Sequence, residues 1–251
     1  MTQQTLTRLR NLKLTGMADA VQQQLEYAST YEGLPFIERL SLLVEHEQLS
    51  REQRKQARLV KQARLKLQAT VQEVDYQSAR NLERSQVANL AQGEWLRRGQ
   101  NLLITGPCGC GKTYLACALG YQACQQGHST RYYRLPRLLL ELSQAKVDGS
   151  YARLLGQLAR IELLILDDWG LEAVNAEQRN ALLEIMDDRY GKYSTVVVSQ
   201  LPTEEWYASL GDNTLADAIL DRLMHNAHRL SLKGESMRKR RSELTQSEHS
   251  S

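Results

Sequence analysis

The chain has 251 residues, 42% of them apolar and 24% charged, with a formal net charge of +3. That apolar share supports a packed core, and at about 150 residues per domain the length allows one or two domains. No run approaches the roughly 18 apolar residues of a membrane span, Met1-Thr2-Gln3-Gln4-Thr5 lacks a basic-then-apolar leader, and four cysteines are too few for a disulfide framework, so a reducing, cytoplasmic location without membrane contact is expected.

In chain order, the first segment reads as helix. Leu6, Leu9 and Leu12 recur at three-residue spacing, and Met17, Ala20, Val21, Leu25 and Ala28 follow on a second segment. Ile37, Leu40, Leu43 and Val44 lie on a third that begins after Pro35. Ser50 and Gln53 have capping-box spacing, which predicts a separate fourth helix. Its apolar stripe, Leu59, Ala63 and Leu67, is narrow, and the remaining surface is basic. Arg51, Arg54, Lys55, Arg58, Lys61, Arg64 and Lys66 fall within sixteen residues that hold one acid, Glu52. Cations so close repel one another unless a polyanion neutralises them, and the phosphates of duplex DNA fit that need better than a merely solvated face does. With no recognition-helix or zinc motif, contact should be largely independent of base sequence. Residues 1–70 are therefore expected to form a helical DNA-binding domain.

Residues 71–100 read as a linker into a second domain, with Leu82, Val87, Leu90 and Trp95 as its apolar positions. From Asn101 onward strands and helices alternate. Strands are predicted at 101–105, 130–135, 162–167, 194–199 and 229–233. Helices are predicted at 112–126, 137–146, 151–160, 176–190 and 214–227. Such alternation implies an α/β domain over 101–241 with a parallel sheet covered on both faces. A second basic run, Arg238-Lys239-Arg240-Arg241, precedes a polar tail at 242–251.

Gly106-Pro107-Cys108-Gly109-Cys110-Gly111-Lys112-Thr113 follows the first of these strands and opens a helix, the context and spacing of a phosphate-binding loop. Its glycines let backbone N–H groups turn toward a phosphate, with the positive end of the helix behind them. Lys112 would reach the β- and γ-phosphates and the Thr113 hydroxyl would take one position on Mg²⁺, with Tyr114 next in the contact set. ATP or GTP is the expected ligand. Cys117 and Cys124, seven apart on the same helix, read as buried small hydrophobes.

The apolar run Leu163-Leu164-Ile165-Leu166 ends in Asp167-Asp168, 55 positions beyond Lys112. Open α/β sheets place ligands at the carboxyl ends of their strands. Asp167 would hold Mg²⁺ through water, and Asp168 would orient or deprotonate the attacking water. Val196-Val197-Val198-Ser199-Gln200 is a third buried strand with a polar end, from which Gln200 or Ser199 would position that water. Arg222, in Leu220-Asp221-Arg222-Leu223, either pairs with Asp221 or Asp217 or reaches the γ-phosphate of a neighbouring subunit as an arginine finger. Arg238 is a weaker candidate for phosphate contact within its own chain.

Taken together, the phosphate loop, Leu163 through Gly170 with its Asp-Asp-Trp-Gly, Ser199-Gln200-Leu201-Pro202, Ala216 through Leu223 and Gly234-Glu235-Ser236-Met237-Arg238-Lys239 resemble the IstB transposition helper ATPases of bacterial insertion sequences. Those proteins are related to the DnaC helicase loaders and DnaA-type initiators of the AAA+ class, and the resemblance runs from about residue 8 to 241. It implies an AAA+ fold with sheet order 5-1-4-3-2, a helical DNA-binding domain, and ATP- and Mg²⁺-dependent homo-oligomers that bend target DNA and recruit a separate transposase. It assigns Lys112 and Thr113 to the Walker A pair, Asp167 to the Walker B metal carboxylate, Gln200 to the sensor-1 region and Arg222 to the finger. Most AAA+ ATPases have glutamate where Asp168 stands, which implies slow hydrolysis, expected to be stimulated by DNA. A DnaC-like helicase loader is the nearest alternative, and a DNA scaffold with incidental hydrolysis is the next.

Overall fold

The structure, a computed structural model, describes residues 2–76, 80–211 and 213–234. The basic run 238–241 and the tail lie outside them. The chain divides into two compact units, Met1–Arg58 and Leu59–Ser251.

The first unit is helical: α1 Thr2–Asn11, α2 Thr15–Glu26, α3 Ala28–Tyr31 and the first part of α4, Phe36–Ala63. Its buried set is small, with Leu6, Ala18 and Ala20 joined by the polar Gln24 and Glu47. Gly16 allows close approach of α2 and α4, since a Cβ there would stand 2.7 Å from the Ser50 Cβ. Glu47 accepts the Met17 N–H at 2.9 Å and so satisfies one of the free donors at the start of α2. The separate fourth helix is not found. Ser50 sits inside one continuous α4, where its carbonyl accepts from Arg54 Nε at 3.1 Å. No glycine or proline lies between Phe36 and Ala63 to stop the helix, and a Ser-x-x-Gln spacing caps only where the backbone has already left the helical region. The same chemistry does cap a helix at Asn175 and Gln178, whose reciprocal bonds of 2.9 and 3.0 Å start the helix Ala176–Arg189.

The second unit opens with two short helices, α5 Arg84–Ala91 and α6 Glu94–Arg97. Val87, Leu90, Trp95 and Leu96 are buried from them, so this stretch forms part of the core. There follow β1 Asn101–Thr105, α7 Lys112–Gln125, β2 Thr130–Arg134, α8 Leu135–Val147, α9 Tyr151–Arg160, β3 Leu163–Trp169, α10 Ala176–Arg189, β4 Ser194–Ser199, α11 Trp206–Leu210, α12 Asn213–Met224 and β5 Ala227–Ser231. The strands form one parallel sheet in the order β2-β3-β4-β1-β5, the expected 5-1-4-3-2 read from the other edge. β5 begins two residues earlier than predicted because the Asn101 N–H, donating to Asn226 O at 3.1 Å, starts the pairing there.

Alternation along each strand builds two cores. Leu102, Ile104, Leu163, Ile165, Val196 and Val198 face one side, against Leu115, Cys117 and Leu119 of α7 and the α5–α6 residues. Leu103, Leu164, Leu166 and Val197 face the other, against Leu138 and Leu142 of α8, Leu182 and Ile185 of α10 and Ile219 and Leu223 of α12. Each such side chain contributes roughly 1.5–3 kcal/mol on full burial, which explains why strands buried on both faces read as unbroken apolar runs. Cys117 and Cys124 are buried free thiols, and burial pushes both thiols up.

Candidate functional site

The phosphate-type loop connects the carboxyl end of β1 to α7. Gly106 has φ +143°, and a Cβ there would lie 2.3 Å from the Leu232 carbonyl oxygen, so only glycine fits. Gly111, at φ +95°, is the N-cap of α7. The helical ladder closes first with Leu115 N–H onto Gly111 O, which leaves the N–H groups of Lys112, Thr113 and Tyr114 at the positive end of the helix. Lys112 is buried, and its ammonium donates to Gly106 O at 2.6 Å and Pro107 O at 2.7 Å, with Cys110 Sγ 3.9 Å away. Cys108 and Pro107 are exposed on the loop, Gly109 is half-buried and Cys110 is buried.

Two strands away, β3 delivers the carboxylates. An extra residue enters β3 between Leu166 and Trp169, where three steps on β3 match two on β4. The bulge re-aims Asp167 and Asp168 at the strand's end, and Asp168 takes φ +63°, which aspartate tolerates better than most residues. Asp167 is 2% exposed. Its Oδ2 accepts from the Thr113 hydroxyl at 2.9 Å and the Tyr132 hydroxyl at 2.6 Å, and its Oδ1 accepts the Asp168 N–H at 2.9 Å. Burial, reinforced by the Asp167 carboxylate, drives the Tyr132 hydroxyl far above its ordinary range and keeps it a donor. Asp168 Oδ2 accepts from Arg134 Nε at 2.6 Å, and that bond raises the guanidinium's pKa further. Thr113 and Asp167 thus present a hydroxyl and a carboxylate oxygen side by side, a donor set that suits a hard divalent cation.

Ser199 and Gln200 end β4, between β1 and β3, since Ser199 pairs with both Thr105 and Trp169. Ser199 is buried, donates to Trp169 O at 2.8 Å and accepts the Leu201 N–H at 3.0 Å, so its hydroxyl fixes the turn. Gln200, the next residue, is exposed. Arg222 is placed elsewhere. Its carbonyl oxygen accepts from Asn101 Nδ2 at the start of β1, roughly 15 Å of strand from the loop. Its guanidinium bonds neither Asp221 nor Asp217 but Asp187 and the Ala218 carbonyl.

Three residues at this end of the sheet carry no motif and escape a sequence reading. Tyr132 and Arg134 become visible only through the strand order, which sets β2 beside β3 with Arg134 opposite Asp167. Arg80 lies against the loop, its Nη1 3.7 Å from the place a Gly111 Cβ would take. It donates to Asp75 O at 3.0 Å, and its Nη2 stands 3.9 Å from Asp75 Oδ2. Its Nε and Nη2 have no hydrogen-bond partner among the described residues. With Leu67, Val74, Leu82, Tyr114 and Leu232 it lines a cavity of about 280 Å³ beside the loop. Tyr114 also donates to Glu73 at 3.2 Å.

The sixteen-residue basic stretch separates into paired and unpaired cations. Arg51 and Arg54 lie 2.6 and 3.5 Å from Glu47, one turn before the stretch, and Lys66 lies 3.9 Å from Asp167. Lys55, Arg58, Lys61 and Arg64 are exposed and make no ion pair among the described residues.

Residues 7–245 match the family model described as IstB-like ATP binding protein. The chain belongs to that family. It is 48% identical over 235 residues to an insertion sequence ATP-binding protein of Sinorhizobium fredii, covering 94% of this chain and 96% of that one. It is 36% identical to the insertion sequence IS21 ATP-binding protein of Pseudomonas aeruginosa, over 92% of this chain and 86% of its relative. Among solved structures, the DnaC helicase loader superposes with TM-score 0.57 at 20% identity, over 66% of this chain and 97% of the loader. DnaA bound to AMPPCP and single-stranded DNA does so with TM-score 0.58 at 16% identity, over 68% and 52%. These likenesses give the IstB-like chain an AAA+ fold.

Proposed function

We propose that this IstB-like protein is an ATPase that assembles as a homo-oligomer on duplex DNA, in the cytoplasm, and presents the bound DNA to a partner transposase. The observation that carries the nucleotide half is the meeting of Lys112, Thr113, Asp167 and Asp168 at one end of the sheet, with Thr113 and Asp167 already 2.9 Å apart. Loop N–H groups and Lys112 hold the phosphates, Lys112 exchanging its own loop's carbonyls for phosphate oxygens. Thr113 and Asp167 hold Mg²⁺, which when bound neutralises phosphate charge. Asp168 orients the attacking water, Arg134 holds Asp168, and Gln200, just past the end of β4, is the second candidate to position that water. The aspartate reaches less far than a glutamate would, so turnover is slow until the assembly on DNA tightens the site.

Arg222 supports the oligomer. Its position at the opposite end of its own sheet puts its own nucleotide out of reach, so a finger role would be toward a neighbour's nucleotide and would require release from Asp187. The DNA half rests on Lys55, Arg58, Lys61 and Arg64, the four exposed cations of the basic stretch that make no ion pair among the described residues. Near-full-length identity to insertion sequence ATP-binding proteins favours the transposition role over a helicase loader, for which the likeness is one of fold.

One titration tests the whole reading. Duplex binding is measured against salt, with and without ATP, alongside the mass of the complexes. Wild type should form ATP-dependent oligomers, and Lys112→Ala should not. Replacing the four cations by Gln should flatten the salt slope by about 0.9 for each phosphate no longer neutralised, equally on unrelated sequences. Normal assembly by Lys112→Ala, or an unchanged slope, overturns the corresponding half.

A further inference from the structure

Asp167 draws a cation in addition to its three hydrogen bonds. Thr113, Tyr132 and the Asp168 N–H already satisfy both oxygens, and Lys66 Nζ stands 3.9 Å from Oδ2 as well. Among the described residues Lys66 is the one cation within ion-pair distance of this buried carboxylate. A buried charge needs a counter-charge, and the place Lys66 occupies borders the oxygens that would hold the divalent ion.

The backbone brings Lys66 there by construction. Leu59 and Ala63 of α4 pack on Cys124 of α7, and Arg131 of β2 donates to Gln62 O at 2.8 Å. Leu65 lies close over Gly120, its Cδ2 3.0 Å from the position of a Cβ there. Arg64 then turns the chain with φ +49°, so the helix ends and the next residue but one arrives at Asp167. The Lys66 side chain is 39% exposed, so its ammonium can leave for water without unfolding its anchor.

Building on the nucleotide-site reading above, we propose that Lys66 is a tethered stand-in for the divalent cation. In the metal-free site it neutralises Asp167. Metal and nucleotide displace it, and the 64–67 turn passes from held to released. The competition is reciprocal: whatever Lys66 gives Asp167 is subtracted from the affinity for the metal. Lys66 is then a positioning residue that reports site occupancy to the end of the basic helix, rather than one of the DNA contacts.

The test compares ADP affinity of the full chain by calorimetry in Mg²⁺ and in EDTA, the ratio of the two measuring the metal's contribution. Lys66→Gln should raise that ratio roughly threefold or more, the modest size reflecting an ion pair partly open to solvent. Lys66→Arg, which keeps the charge, should stay near wild type. In a second arm on the wild-type protein, trypsin should cut after Lys66 faster with Mg²⁺ and ADP than with EDTA and ADP. An unchanged or lowered ratio in Lys66→Gln, or cleavage indifferent to the metal, overturns the stand-in role and leaves the nucleotide site standing. Should wild type bind ADP equally with and without Mg²⁺, the metal site itself fails and the inference falls with it. If Lys66→Gln does not fold, the cleavage arm on the wild-type protein still decides.

Discussion

At the amino-terminal end of the strands, Arg189 is 1% exposed and bonds the carbonyls of Leu158 at 2.7 Å, Ile161 at 2.6 Å and Ser194, together with the Thr195 hydroxyl at 3.1 Å. Close by, Glu162 accepts from His128 at 2.8 Å and from the N–H and hydroxyl of Ser129 at 2.7 and 3.0 Å. At the carboxyl end, Lys112 is also buried, but its ammonium is turned on the carbonyls of its own loop, and Lys66 reaches toward Asp167 across 3.9 Å. Backbone conformation differs as well. The carboxyl end holds a non-glycine residue, Asp168, at positive φ, whereas at the amino-terminal end the described residues with positive φ are glycines, Gly99, Gly127 and Gly191. Arg189 and Glu162 bond partners from several elements and tie those elements together, although beside them the buried Ser194 hydroxyl has no hydrogen-bond partner among the described residues. Polar groups held on strained backbone by replaceable partners await a ligand.

The largest expected effect breaks the first end. Arg189→Met removes one cation and strands four acceptors that join α9, α10 and β4, and should cost about 3 kcal/mol or more in chemical denaturation. Nucleotide affinity of the folded protein should stay within about twofold, on the order of a few tenths of a kcal/mol. Affinity falling tenfold while stability held would show that the two ends act as one network.

A smaller effect sharpens the other end. Asp168→Asn removes the water-orienting charge and should lower ATP turnover about a hundredfold, the low end for a positioned general base. Asparagine tolerates positive φ at least as well as aspartate and its oxygen can still accept from Arg134, so denaturation should show a loss of no more than about 1 kcal/mol, from the ion pair with that half-exposed arginine. Turnover at the wild-type rate would move the role to Gln200 or to a group from a neighbouring subunit.

The carboxyl end is legible in part in the sequence, and the amino-terminal end is hidden. Phosphate-loop spacing, the carboxylates after Leu163–Leu166 and the unbroken apolar run Leu102-Leu103-Ile104 are local patterns, so strands, helices and the pairing of Thr113 with Asp167 at one site can be read directly. Tyr132, Arg134 and Arg80 cannot, because they act through neighbours across strands or from a stretch without periodicity. Glu47 escapes for a simpler reason: it lies one helical turn outside the basic window and pairs with Arg51 and Arg54 from there. Ser50 and Gln53 show the converse, a local motif overruled by a helix that had no reason to stop. Arg189 looks like any helix-terminal cation, and only the packing of α10 on α9, with the chain turning back into β4, reveals four partners.

The smallest prediction concerns Glu162 and pH. Partial burial alone would raise its carboxyl pKa, but the hydrogen bonds from His128 and Ser129, with the charge on His128, outweigh burial and hold it below the ordinary range. A carboxyl depressed in the folded state binds its proton more readily when unfolded, so its stabilisation is complete above the unfolded value of about 4.3. That stabilisation is lost as pH falls through the lower folded value. The group is partly open to solvent, so screening limits the effect to about 0.5 kcal/mol. Comparing wild type with Glu162→Gln by denaturation, the gap in stability should be present at pH 6 and close as pH falls below about 4. ADP affinity near neutrality should not change, because Glu162 lies a full strand's length from the phosphate loop. A stability gap that widens toward acid would mean that the carboxyl is raised in the folded state, and that burial of Glu162 outweighs its bonds to His128 and Ser129.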